Sequence, residues 1–153
     1  MTEIQALLLI KSILESADIH GIENILAKDC EYMSTGRGII GRNRNETIEF
    51  LSSMAESIKA DNVPVTCKVM HITDVYEEDA LFHEGRHGLT VSYESGDNYV
   101  YMIFVDVNDE GLVDRIVSSQ ENYSIEYDNL RFGDDESEYV FISAPTTVKD
   151  WIT

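Results

Sequence analysis

Apolar residues recur at helical spacing at the start of the chain: Ile4, Leu7, Leu8, Ile10, Ile13 and Leu14. This period predicts a first helix with one apolar face. Asp18 is placed to cap a second, short helix through Ile22, Ile25 and Leu26. Asp29–Thr35 reads as a strand, and Gly36, Gly38 and Gly41 mark turns. Asn43, with Glu46 three residues on, fits a capping box. The helix it opens carries Ile48, Leu51, Met54, Ala55 and Ile58 on one face and ends before Asp61, Asn62 and Pro64.

Beyond Pro64 the period changes to two. Val65, Cys67, Val69, His71, Thr73 and Val75 alternate with Thr66, Lys68, Met70, Ile72 and Asp74. Glu77, Glu78 and Asp79 read as a turn, Ala80–Tyr93 as a second long strand, and Ser95–Asp97 as another turn. A third strand spans Asn98–Val107. Asn108-Asp109-Glu110-Gly111 has hairpin-turn composition, and Leu112–Asn122 is a fourth strand. The third strand is apolar on both faces, with Tyr99, Tyr101, Ile103 and Val105 on one and Val100, Met102 and Phe104 on the other. A sheet with one wet face alternates cleanly, so both faces here need a cover. Helices would cover one; a second subunit or the C-terminal segment would cover the other. Residues 124–153 show no clear periodicity. They hold an acidic loop (Gly133–Glu138), a strand-like run (Tyr139–Ser143), Pro145 and the single tryptophan, Trp151.

The resulting expectation is an α+β chain with N-terminal helices packed on a mostly antiparallel sheet. Its 153 residues fit one domain. This element order resembles the nuclear-transport-factor-two-like superfamily, which includes ketosteroid isomerase and the SnoaL-like cyclases. Two stretches carry the resemblance. One contains Ala17-Asp18, Gly21, Asp29, Gly41-Arg42, Ile48 and Phe50; the other is the FVDVNDEGLVDRI hairpin from Phe104 to Ile116. The resemblance implies a cone-shaped fold with a strongly curved sheet over residues 1–123. Residues 124–153 form an extension packing on the same domain or on a partner subunit. Ketosteroid isomerase's working positions fall near Ser34, Ile10 and Ile103. A serine and two isoleucines supply neither its carboxylate base nor its oxyanion donors.

Composition narrows the partners. Asp and Glu total 29 against 11 Lys and Arg, a net charge of −18. Such a surface disfavours nucleic acid and anionic membranes and attracts a basic protein partner. No stretch reads as a signal peptide or membrane span, and the two cysteines, Cys30 and Cys67, match no metal or redox spacing. The expectation is a cytoplasmic protein with free, buried thiols and no cofactor.

His83-Glu84-Gly85-Arg86-His87 spells H-E-x-x-H, a zinc-protease pattern that works only on a helix. The flanking glycines and Leu89–Tyr93 read as strand, so no metal site is expected. His83 and His87 would then share a strand face. His71, His83 and His87 are the candidate acid-base residues, since imidazole titrates near neutrality. Tyr32, Ser34, His71, His87, Tyr101 and Gln120 are the expected lining of a pocket for a small apolar or aromatic ligand. Three readings follow: a small-molecule-binding domain, expected as a homodimer through the open sheet face; a SnoaL- or dehydratase-type enzyme with a histidine base and Tyr32 or Tyr101 as donor; and an acidic interaction or immunity-type module.

Overall fold

The computed structural model describes residues 1–16, 18–19, 21–34, 37–62, 64–75, 83–93, 100–119 and 130–134. The elements are α1 (Glu3–Ser16), a 3-10 turn (Ile22–Asn24), β1 (Leu26–Ser34), β2 (Gly38–Gly41), α2 (Arg44–Asp61), β3 (Val65–Val75), β4 (His87–Tyr93), β5 (Val100–Val107), β6 (Val113–Ser119) and β7 (Leu130–Asp134). These strands form one sheet in the order β2-β1-β6-β5-β4-β3-β7. Among them every pairing is antiparallel except β1 with β6.

Both helices pack on one face of this sheet, α1 against β3, β4 and β5 and α2 against β1 and β2. α1 is buried on more than the single expected face, because Ala6 through Ile10 are all buried together with Ile13 and Leu14. Its ends are fixed by carboxylates. Glu3 Oε1 accepts from the His87 backbone N–H at 2.8 Å, and Glu15 Oε2 accepts from that of Cys67 at 3.1 Å. Each therefore satisfies a strand donor on the helix-side face of the sheet.

The cap of α2 forms as expected. Asn43 Oδ1 accepts from Glu46 N–H at 3.0 Å, and the Asn43 amide donates to the Glu46 carboxylate at 3.3 Å. Thr47, in the first turn, donates through its hydroxyl to the Cys30 carbonyl at 3.0 Å. That contact holds α2 so close to β2 that a Cβ on Gly41 would lie 2.9 Å from the Thr47 nitrogen. The glycine is thus needed for close approach. Asn62, at φ 52°, ends α2 one residue later than the pattern predicted.

Other expectations need correction. The second helix is only a 3-10 turn; Leu26 already belongs to β1, and Gly21, at φ 87°, precedes the turn where Asp18 was expected to cap it. Gly38–Gly41 is a strand pairing with β1. The second long strand starts at His87, after a turn with Gly85 at φ 86°. Gly133 and Asp134, read as loop, lie in β7. The Glu77–Asp79 and Ser95–Asp97 turns, the Tyr139–Ser143 run and Trp151 lie outside the described residues. The Asn108 turn holds: the Asn108 side chain accepts from Glu110 and Leu112 N–H, both at 3.0 Å.

β5 is buried on both faces. Ile103 and Val105 join the helix-side core, whereas Met102 and Phe104 are 1% exposed on the far side, with Val117 and Ile72. The Arg86 guanidinium lies 5.4 Å from the Phe104 ring centre and donates to Asp106 at 3.0 Å. A Cβ on Gly88 would meet Phe104 at 2.7 Å and Met102 at 2.8 Å. Gly88→Ala is expected to destabilise the protein by about 1–3 kcal/mol through overpacking, measured by urea denaturation.

Candidate functional site

Residues that pair across neighbouring strands point to the same face of a sheet, so the register shows which polar groups meet inside the helix-side core. Ser34 closes β1 and pairs with Ser118 of β6. Ser118 pairs onward with Ile103, and Ile103 with Leu89. Both serines are buried, at 1% and 0% exposure. Neither hydroxyl has a hydrogen-bond partner among the described residues. A buried hydroxyl left unmatched costs about 1–3 kcal/mol, so two on neighbouring strands are conspicuous in a core of aliphatic side chains.

Two residues before Ser34, Tyr32 is fully buried. Its ring centre lies 4.5 Å from that of Phe50, and its hydroxyl is 3.9 Å from Met54 Sδ. Its ring therefore packs beneath α2.

The second polar group lies at the other side of the core. His71 and His87 pair directly across β3 and β4, with ring centres 6.2 Å apart. Glu3 brings a carboxylate oxygen to 3.2 Å from His87 Nδ1. A carboxylate at hydrogen-bond distance from Nδ1 fixes the orientation of the ring. Sequence reasoning missed Glu3, since only the packing of α1 across β4 brings it to the histidine. The structure brings His71 and His87 together but separates His83 from a shared strand face. His83 stands just before the turn at Gly85, and its Nδ1 lies 3.2 Å from the Glu84 carbonyl oxygen. H-E-x-x-H thus spans a turn and the first residue of a strand. Among the described residues no group of three or more His, Cys, Asp or Glu is arranged to hold a metal ion. Tyr101 pairs with Val91 on β4, its side chain lying outside the described set, as does all of Gln120.

Cys30 and Cys67 flank this interior. Burial pushes both thiols up to about 12, with Asp114 and Glu31 adding to the effect at Cys30 and Glu15 at Cys67. They are therefore protonated, unreactive parts of the core. A surface cleft of about 340 Å³ is lined by Lys28, Asp29, Asn43, Arg44 and Asn45 at the start of α2, away from both polar groups.

No protein-family model and no curated protein matches this chain. Solved structures do. SalBIII, an epoxide hydrolase/cyclase-like enzyme of pyran ring formation in salinomycin, aligns over 79% of this chain and 92% of its own, at 11% identity and a TM-score of 0.50. A de novo designed protein with a curved β-sheet aligns over 84% and 96%, at 12% identity and the same TM-score. An NTF2-like protein from Cytophaga hutchinsonii aligns over 78% and 98%, at 13% identity and a TM-score of 0.48. The chain shares with SalBIII and the designed protein an α+β fold of helices packed on one face of a mostly antiparallel sheet. Among the described residues, no helix is long and apolar enough to cross a membrane.

The thiols give a direct check on this interior. Neither cysteine is expected to react with Ellman's reagent in the native protein at pH 8, and both should react on unfolding. Because their folded values lie above those of the unfolded chain, their contribution to stability is complete below about pH 8.5 and is lost as pH rises toward 12. Titrating stability from about pH 7 to 11 in the wild type and in Cys30→Ala/Cys67→Ala should show a shallower loss in the variant.

Proposed function

We propose that this protein binds a small, largely apolar molecule inside the cone, its polar group held by the Ser34 and Ser118 hydroxyls. The observation that carries this reading is the pairing of two fully buried hydroxyls with no hydrogen-bond partner among the described residues. Pockets of this kind are mostly apolar, with a few placed polar groups that orient the ligand. The surrounding core is of that composition, with Ile10, Ile103, Leu89 and Ile116 on the same side of the sheet.

Charge limits the ligand class. Among the described residues the fully buried helix-side core contains no cationic side chain, and acidic neighbours help hold both thiols protonated. An anion would enter without a counter-charge, whereas a neutral alcohol, ketone or amide would match hydroxyls that both donate and accept. SalBIII, of the same fold, is described as acting in the formation of a ring on a small molecule. The analogy supports a ligand within the cone and leaves its chemistry to the residues themselves.

Stability and binding separate under this reading. In ligand-free protein, Ser34→Ala and Ser118→Ala should each be neutral or stabilising by up to about 1 kcal/mol, since each removes an unmatched buried hydroxyl. A small-molecule adduct retained by the wild type in native mass spectrometry should be lost from the double variant. Destabilisation of either single variant by about 1 kcal/mol or more would show structural hydrogen bonds and contradict the proposal.

A further inference from the structure

The sheet ends at β2, and among the described residues no strand pairs with its outer side. An edge strand turns the N–H and C=O groups of alternate residues away from its neighbour. β2 reads Gly38-Ile39-Ile40-Gly41, with no charge or proline within it to blunt that edge. Ile40 packs against the helix-side core. Ile39 is 50% exposed, the one large apolar side chain left so open among the described residues. Register sets its place. Ile39 pairs with the half-buried Met33, Met33 with Val117, and Val117 with Phe104. Paired residues share a face, so Ile39 is the outermost member of an apolar row that crosses the sheet on the side away from the helices. That row ends in solvent.

The charge at this edge is opposite to that of the chain. Asp and Glu number 29 in 153 residues, yet none falls between Tyr32 and Asn45, a stretch that carries Arg37, Arg42 and Arg44. Arg37 and Arg42 stand immediately before and after β2, and both are exposed. Arg44 and Lys28 line the cleft at the start of α2, just past the Gly41 end of the strand. This arrangement disfavours pairing with a second copy of β2. Two antiparallel copies centred between Ile39 and Ile40 would set Arg37 of each against Arg42 of the other, and like charges directly opposite destabilise a strand pair. Carboxylates at the same positions would stabilise it.

We propose that the outer edge of β2 takes an extended acidic peptide of a partner protein as an added strand. Backbone hydrogen bonds to β2 supply the affinity, and the side chains supply the selection. An apolar residue of the peptide opposite Ile39 lengthens the row formed by Ile39, Met33 and Val117. Asp or Glu on either side of it meets Arg37 and Arg42. The net charge of −18 on the chain as a whole repels such a peptide, which confines it to this basic edge and makes binding sensitive to salt. The site uses neither the Ser34 nor the Ser118 hydroxyl and is independent of the ligand proposed for the interior.

The test titrates the full chain, at low salt, into a fluorescein-labelled capped peptide of sequence Glu-Glu-Val-Thr-Val-Glu-Glu. Anisotropy should rise to saturation. Affinity should fall by about tenfold or more in Arg42→Glu, and the same peptide with lysine in place of glutamate should not bind. N-methylation of alternate peptide residues separates strand addition from charge attraction alone. Methylating one edge of the peptide should abolish binding, and methylating the other should leave it intact. Hydrogen exchange should show the Ile39 and Ile40 amides open in the free protein and protected when the peptide is added. No saturation up to about 1 mM peptide, equal binding of the lysine peptide, equal binding of both methylated forms, or protection at a strand other than β2 overturns the proposal. Protection of β2 in the free protein also overturns it: one that is lost on dilution assigns the edge to a second copy, and one that persists assigns it to the chain itself.

Discussion

The double-sided burial of β5 is the constraint on which the rest of the structure depends. Ile103 and Val105 face the helices, and Met102 and Phe104 face away; all four are shut off from water. Fully burying side chains of this size contributes about 1.5–3 kcal/mol each, so the strand is stable only with a layer on either side. α1 supplies one layer. Its two ends are pinned by Glu3 on His87 and Glu15 on Cys67, so its position across β3–β5 is fixed by carboxylates satisfying strand N–H groups as well as by apolar contact. The second layer lies on the opposite face, where Met102 and Phe104 are buried together with Ile72 and Val117.

This arrangement places the polar groups. With α1 over β3–β5 and α2 over β1 and β2, the helix-side core runs between two polar sites. The serine pair lies on β1 and β6, and the imidazole pair with Glu3 lies on β3 and β4. The serines are enclosed and uncharged, which suits recognition of a neutral group. The histidines are partly open, and His87 lies beside the Glu3 carboxylate. The two sites are separated by the width of β5, so a molecule would have to span the core to touch both.

Much of the fold was legible in the residues. The switch from helical to alternating period at Pro64, the Asn43–Glu46 cap and the Asn108 turn each have a local physical cause, and each forms where its pattern lies. The two-sided apolarity of β5 already required two covers. The misplaced elements are those set by tertiary contacts. β2 is too short to show a period. β7 forms by pairing with β3, and the turn at Gly85 interrupts what reads as one long strand. The candidate site was only half legible. His71 and His87 meet because their strands are in register, but Glu3 comes from a different element, 84 residues away from His87. Ser34 could be singled out, whereas the importance of Ser118 depends on its parallel pairing with Ser34, which no local pattern encodes.

Amide hydrogen exchange along β5 tests the central claim, that one chain buries this strand on both sides. The amides of Met102–Val105 are expected to be among the slowest in the protein, with protection that does not change with protein concentration. Exchange of β5 as fast as the edge strand β2, or protection that disappears on dilution, would contradict it.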